Sequence, residues 1–312
     1  MKENLATFFL LKEVQARSPL THYVSDEELK IIQKELVIIM DEIHQFCEDN
    51  NITYFLGGGA ALGAVRHKGF IPWDDDIDIF MPRKDYNRFR EIFCKEKRDR
   101  YYMQDVIMDK QYNSVLMKVR RKGTVYRELV DPEPEKSGLF IDIYSIENVY
   151  DNLLARKLQQ MIVDGLQFIC SCVRMRDLQD MLLPLMKDSE KKIIKKKVMI
   201  GRFFSFFSLK RWLHILEKAL QMNKNEHSKL ITVPISASHF KGELCSRSIY
   251  FPPRELEFEG RKFWGMNSVE KYLTAHYGDY MKLPSEKNRE RHSVMEFSIS
   301  NNETGERNER TN

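Results

Sequence analysis

Residues 54–86 constrain this chain more than any other stretch. An apolar run, Tyr54-Phe55-Leu56, enters three glycines, Gly57-Gly58-Gly59, and Asp74-Asp75-Asp76-Ile77-Asp78 follows. Polar and apolar residues alternate from Asp76 to Phe80, which predicts a strand with one wet face. Asp76 and Asp78 then point one way while Ile77 and Ile79 enter the core. Two like charges on one strand face repel, and a cation between them removes the repulsion. A Mg²⁺ held by a few carboxylates plus substrate phosphate oxygens meets that need. The glycine turn supplies the complement, because backbone N–H groups can approach a phosphate closely there. Glycines and acids together point to phosphoryl chemistry.

Two other readings compete. Aspartate clusters are commonly solvated turns, but here the acids sit within strong β-formers and next to the glycine turn. Asp74, Asp76 and Asp78 also have the first, third and fifth spacing of a calcium-binding EF-hand loop, with Asp85 at the closing position. The sixth position of that loop must be Gly to make its sharp turn, and Ile79 stands there. The calcium loop is excluded.

A further acid follows from the same logic. In Leu139-Phe140-Ile141-Asp142-Ile143-Tyr144 one carboxylate interrupts an apolar strand, where a charge is expensive unless compensated. A metal would compensate it, and so would a neighbouring Lys or Arg. Residue pattern alone leaves both open. Lys118 and Arg120 alternate on one face of their strand with Thr124 just beyond, and surface cross-strand cations are the default account of such a pair. Arg66, His67 and Lys68 lie between the glycines and the acids. The planar fork of Arg66 suits a phosphate, whereas His67 fits a structural hydrogen bond equally well.

Of the 312 residues 42% are hydrophobic and 31% charged, which suits an ordinary soluble chain with one large or two small cores. A net charge of +4 over this length is too mild to argue for nucleic acid. The five cysteines are odd in number and show no Cys-x-x-Cys spacing, so neither a disulfide framework nor a zinc site is indicated. Residues 5–11 form the only apolar run near the start, too short and wrongly flanked for a signal peptide, and no segment approaches a membrane span. The expectation is a cytoplasmic protein.

Ser25-Asp26-Glu27-Glu28 is a capping box, and Leu29, Ile32, Leu36, Ile39, Ile43 and Phe46 recur at helical spacing after it. A strand over 52–56, a short helix over 60–67 and a helix over 83–95 follow, then strands over 101–108, 115–120, 124–129 and 139–144. Interleaved strands and helices predict an α/β core. The chain divides into an N-terminal extension (1–24), a catalytic core (25–150), a basic helical subdomain (151–229), a C-terminal part (230–297) and a disordered tail (298–312). Within the helical subdomain, Lys191, Lys195, Arg202 and Arg211 sit among Phe203, Phe206, Phe207 and Trp212. That mixture suits either an interfacial helix at the inner face of an anionic membrane or a helical subdomain with a solvated basic face. Residues 256–264 read as a hairpin, and Ser268 as the cap of a helix through 275.

The stretch from Gly63-Ala64-Val65-Arg66-His67-Lys68-Gly69 through Phe70-Ile71-Pro72-Trp73 to Asp74-Asp75-Asp76-Ile77-Asp78 resembles the signature of the LicD family. These are bacterial phosphocholine transferases related to fukutin-related proteins, within the nucleotidyltransferase superfamily. Phe251-Pro252-Pro253, Tyr277-Gly278-Asp279-Tyr280 and Leu283-Pro284 are similar to the family's C-terminal landmarks, which end near His292. The resemblance covers about residues 29–292 and is thin across the helical middle. It departs at Tyr144-Ser145-Ile146-Glu147, where Phe-Pro-Leu-Asp is common, and at Ala61, where Leu is usual.

The resemblance implies a nucleotidyltransferase-like mixed sheet flanked by helices, with Asp76, Asp78 and Asp142 as catalytic acids and ligands of Mg²⁺ or Mn²⁺. It implies donor contacts from Gly58, Gly59, Arg66, Lys118 and Arg120, with Asp74 and Asp75 as supporting ligands or loop-shaping acids. The implied reaction moves a phosphocholine-like group from a CDP-alcohol, CDP-choline in the best-known case, to a glycan or lipid-linked glycan of lipopolysaccharide or teichoic acid. A nucleotidyltransferase acting on a small molecule, or a non-catalytic glycan- or nucleotide-binding protein, is the alternative.

Overall fold

The computed structural model describes residues 14–19, 21–129, 136–285, 289 and 293–299. Helix α1 (Asp26–Asp49) begins at the expected capping box: Glu28 N–H donates to Ser25 Oγ at 3.2 Å and Ser25 N–H to Glu28 Oε2 at 2.8 Å. Leu29, Ile32, Leu36, Ile39, Ile43 and Phe46 all face the core, as their spacing predicts. The apolar run at 5–11, the landmark His292 and residues 300–312 of the expected tail lie outside the described residues.

The central sheet orders its strands β2 (Phe55–Leu56), β3 (Asp78–Pro82), β7 (Phe140–Val149), β5 (Met117–Arg121) and β4 (Tyr101–Gln104). Strands β3 and β7 are parallel, the other pairs on this path antiparallel, so the sheet is mixed. Along β3, β7 and β5, Ile77, Ile79, Ile141, Ile143, Met117 and Val119 are fully buried. The acids and bases occupy the alternate positions, so one face of the sheet is core and the other carries the charged groups. Helices α2 (Gly58–His67) and α3 (Arg83–Glu96) flank the sheet. The fold is α/β with a mixed sheet, as expected.

Several strand ends differ from the periodicity, each for a local reason. Strand β4 stops at Gln104 instead of running to 108, because the Asp105 carboxylate accepts the N–H groups of Ile107 and Met108 and turns the chain. Strand β2 is only two residues, and the ladder of β3 begins at Asp78, although Asp142 N–H still donates to Ile77 O at 3.2 Å. Strand β6 is Thr124–Arg127, and it pairs with β13 (Glu296–Ile299) rather than with the central sheet, as β1 (His22–Tyr23) pairs with β12 (Ser293–Val294). Strand β7 continues well past Tyr144, through Ser145 and Glu147, two polar residues that read as a strand end. Arg83 makes them tolerable inside, donating to the Ser145 hydroxyl and the Glu147 carboxylate.

Beyond β7, Asn152 caps the long helix α4 (Leu153–Leu182), accepting from the N–H groups of Leu154 and Ala155. Helices α5 (Asp188–Phe203) and α6 (Leu209–Leu220) pack on it, with Val163, Cys170, Val173, Trp212, Leu213 and Leu216 forming a second core. Gly201 of α5 lies so close to α4 that a Cβ there would stand 2.3 Å from the Cys172 carbonyl oxygen. Strands β8 (Leu230–Thr232) and β9 (Cys245–Ser246) then extend the sheet beside the second half of β7. The expected hairpin is β10 (Arg254–Phe258) with β11 (Arg261–Gly265). Helix α7 (Val269–Tyr277) follows it, and Ser268 occupies the cap position without a side-chain bond, its carbonyl accepting instead. No disulfide joins any of the five cysteines, and Cys47, Cys170 and Cys172 are buried. Among the described residues no helix is long and apolar enough to cross a membrane.

Candidate active site

Strand register assembles the charged row. Asp78 of β3 is the direct partner of Asp142 on β7, Asp142 faces Lys118 on β5, and Lys118 faces Gln104 on β4. Directly paired residues share a face and lie on strands about 4.8 Å apart. Two carboxylates and a cation therefore stand side by side on the sheet's polar face. Asp76, half-buried, precedes them in extended chain.

The glycine turn closes over the same spot. Gly57 N–H donates to the Asp78 carbonyl at 2.9 Å, and helix α2 starts at the next residue with no side chain capping it. Gly58 has φ of +44°, and a Cβ there would sit 3.1 Å from Asp78 Oδ2; one on Gly59 would sit 2.7 Å from Asp74 Oδ2. The positive φ favours glycine at position 58, and a Cβ at either position would crowd the end of an acidic side chain. The first N–H groups of a helix lack intrahelical acceptors and favour anions.

Asp142 is buried, and its Oδ1 accepts no hydrogen bond. Lys118 Nζ stands 3.4 Å from that oxygen while donating to Glu128 Oε2 at 3.0 Å, so an ion pair, not an aligned hydrogen bond, meets Asp142. Burial pushes the Asp142 carboxyl up to about 6; Lys118 and Arg120 oppose this, and Glu128 and Asp76 reinforce it. Burial works against the Lys118 ammonium too, but Asp142 and Glu128 outweigh it and hold the group above its ordinary range. Among the described residues no three His, Cys, Asp or Glu side chains are closed into a metal cage. The donor set still fits a hard divalent cation: it is all oxygen, it includes a buried carboxylate oxygen accepting no hydrogen bond, and Lys118 now supplies the positive charge beside it.

The other expected residues fall into different settings. Arg120 has no exposed surface; it donates to Gln104 Oε1 at 2.7 Å and to the Gly138 carbonyl at 2.9 Å, and pairs with Glu128 at 3.6 Å. It lies with Lys118 over the Phe140 ring and helps set the Glu128 carboxylate that Lys118 also holds. Arg66 sits at the far end of α2 from the glycines, about 12 Å along the axis at 1.5 Å per residue, and donates to His67 Nε2 at 2.9 Å and the Tyr280 carbonyl at 2.8 Å. His67 is therefore the acceptor in that pair. Asp75 is buried and takes the Tyr126 hydroxyl at 2.7 Å, and Gln33 donates to the Asp74 carbonyl at 2.8 Å. These bonds pin the acidic loop, which makes Asp75 loop-shaping.

Sequence reasoning missed a set of tyrosines and Glu128. Tyr144 follows Asp142 by two positions on the same strand face, a signal that alternation could have revealed. Burial raises its hydroxyl, and the charges of Asp78, Asp142 and Asp76 raise it further. Tyr272 and Tyr277 arrive from α7: Tyr272 lies near the Gly58 backbone and Asp78, and Tyr277 feels Asp78, Asp74 and Asp76 on one side and Arg66 on the other. Tyr277 opens one of the C-terminal landmarks, but no local periodicity marks either residue as a neighbour of the acids.

Behind them the His276 ring lies 4.1 Å from that of Tyr272, tilted by 32°, and stands 3.0 Å from Glu243, as an ion pair rather than an aligned hydrogen bond. Burial disfavours its protonation, yet Glu243 and the Tyr272 carbonyl prevail and raise it above its ordinary 6.5. The folded chain therefore binds this proton more tightly than the unfolded one. The stabilisation is complete below the unfolded value and fades as pH rises through the raised folded value. Melting curves should accordingly show wild type above His276→Gln in mild acid, the gap closing as pH climbs past 6.5. A gap that stays constant would remove the linkage.

This arrangement has relatives. The profile of the family described as LicD/FKTN/FKRP, nucleotidyltransferase domain, matches residues 51–154, the span that holds the glycine turn and all three acids. Lipopolysaccharide cholinephosphotransferase LicD of Haemophilus influenzae is 33% identical over 303 residues, covering 88% of this chain and 99% of its own. Uncharacterized proteins of Rickettsia typhi and Rickettsia prowazekii match more locally, at 42% over 59 residues and 40% over 75, covering 19% and 28% of their own lengths. With identity of this level spread along nearly the whole of a full-length relative, and with the family profile falling on the acid-bearing sheet, the chain is an enzyme that belongs to the LicD family.

Proposed function

We propose that this enzyme moves a substituted phosphate, phosphocholine first among them, from a CDP-activated donor to a hydroxyl of a cell-surface glycan or lipid-linked glycan precursor. The observation that carries this reading is the register of Asp78 with Asp142 beside the Gly58 turn, in a chain whose full-length relative is named for cholinephosphate transfer to lipopolysaccharide. The acceptor oxygen bonds to the phosphorus distal to the nucleoside, the bond from that phosphorus to the bridging oxygen breaks, and CMP leaves. The acceptor's proton passes to Asp142. Mg²⁺ or Mn²⁺, when held by Asp76, Asp78 and Asp142, would supply charge to neutralise the donor phosphates. Gly58 and Gly59 offer N–H groups to the donor, with Arg66 and Lys118 contributing positive charge. Arg120, being enclosed, supports Glu128 and Lys118 instead of touching the donor.

The acids alone do not distinguish attack at the distal phosphorus from nucleotidyl transfer, which uses the same carboxylate frame. Incubation with Mg²⁺, CDP-choline and a glycan-lipid extract should release CMP in an acceptor-dependent way, followed by chromatography. Pyrophosphate released from CTP in a parallel tube, with CDP-choline untouched, would overturn the reading in favour of nucleotidyl transfer.

A further inference from the structure

Positions 154, 158, 161, 165, 168, 172 and 175 of α4 recur every three or four residues and so form a single row along the helix. The far half of that row is covered: Cys172 and Met175 are buried, and Gly201 of α5 packs against the Cys172 carbonyl. Helix α5 ends two residues later, at Phe203. The near half of the row is uncovered. Leu154 is 76% exposed, Leu158 57% and Met161 70%, Ile162 flanks them at 38%, and a Cβ at Gly165 would meet nothing within 4 Å. At the end of α5 and just after it, Phe203 is 76% and Phe206 63% exposed. Large apolar side chains left in water in such numbers mark a contact surface.

The charges around them select the occupant. Residues 191–216 contain eight Lys or Arg and no Asp or Glu, and residues 152–168 contain Arg156 and Lys157 against one acid, Asp164, which accepts from Gln160. Of these, Lys157, Lys192, Lys195, Lys196, Arg202 and Arg211 are exposed. A second copy of this chain would bring the same basic surroundings against itself, whereas an anionic lipid surface complements them. We propose that Leu154, Leu158, Met161, Ile162, Phe203 and Phe206 form a docking surface that inserts shallowly into an anionic lipid bilayer. The surface differs from the segment that composition alone suggests: Ile194, Val198, Trp212 and Leu213 are core, while the exposed apolar residues of α4 lie outside that segment. It involves no residue of the active site and stands independently of the reaction assigned there.

The test uses the full chain and extruded vesicles of phosphatidylglycerol mixed with phosphatidylcholine, against vesicles of phosphatidylcholine alone. Sedimentation should show binding to the anionic vesicles at low salt, falling at least about tenfold as salt screens the basic residues. Leu158→Glu with Met161→Glu should abolish binding with an unchanged melting curve, since both positions are exposed in the free protein. Phe203→Ser, at an independent exposed site, should weaken it, and Lys195→Ala with Lys196→Ala should weaken it on anionic vesicles. Equal binding to both vesicle types, or binding to neither, overturns the proposal. So does a dimer in sedimentation equilibrium that the Leu158→Glu and Met161→Glu pair splits, which would make the occupant a second copy.

Discussion

Replacing Asp78 by Asn should lower turnover by at least about 10³-fold, equivalent to roughly 4 kcal/mol of transition-state stabilisation, while the fold persists. The side chain is half-buried at the first position of β3, and the backbone carbonyl that receives Gly57 N–H is untouched by the change. Asn keeps the shape and removes the charge. What is lost is a carboxylate at the register position facing Asp142, where like charges are held together at a cost that only a counter-charge repays. Circular dichroism and melting should stay near wild type, and calorimetric titration with Mn²⁺ should lose its heat. Asp142→Asn should fail equally in turnover, and Lys118 would keep Glu128 as its partner. Turnover within tenfold of wild type in either variant, with the protein folded, would sink the assignment of these acids to the reaction.

The second large effect concerns stability. Arg83 is buried, donating from Nε to Glu147 at 2.9 Å, from Nη1 to Glu217 at 2.8 Å and from Nη2 to Ser145 at 2.7 Å, with its guanidinium 4.8 Å from the Tyr86 ring centre. One side chain of α3 thereby ties β7 of the sheet to α6 of the helical region. Arg90 adds a second cation, 3.2 Å from Glu217. Removing one partner of a buried ionic cluster leaves uncompensated charge, which costs about 3–5 kcal/mol. Arg83→Ala should lose stability of that order in urea unfolding, because among the described residues Glu147 keeps only the Ser145 hydroxyl as a side-chain donor. Adding Glu147→Gln should recover part of the loss, since the stranded charge is then gone. A loss below about 1 kcal/mol would place this cluster with ordinary surface pairs.

The polar face of the sheet is partly legible in the sequence alone. Alternation from Asp76 to Phe80 separated the acids from Ile77 and Ile79, and both isoleucines are fully buried. The Ser25 box and the apolar spacing after it set α1, and Gly58 needed its positive φ. These features depend on neighbours within a turn or a strand, so the order of residues suffices to read them. Asp142 was different. Its strand was readable, but metal and basic partner stayed equal, and the structure shows Lys118 beside it with an oxygen accepting no hydrogen bond.

By itself, then, the order of residues determined the family, the α/β alternation, the glycine turn and the acids that alternate with Ile77 and Ile79. Only the tertiary structure decided that Asp78 stands opposite Asp142, because register between strands far apart in the chain depends on how whole faces pack. It enclosed Arg120, whose alternation with Lys118 looked like a pair of surface cations, since Gln104 and Gly138 come from separate segments to receive its donors. It brought Tyr272 and Tyr277 to the glycine turn from the C-terminal helix, a contact with no local periodicity to announce it. It also divided the aromatic and aliphatic residues of the basic helices into buried and exposed sets. Helical spacing gives each residue its side of the helix, but whether that side meets protein or solvent depends on where the neighbouring helix ends.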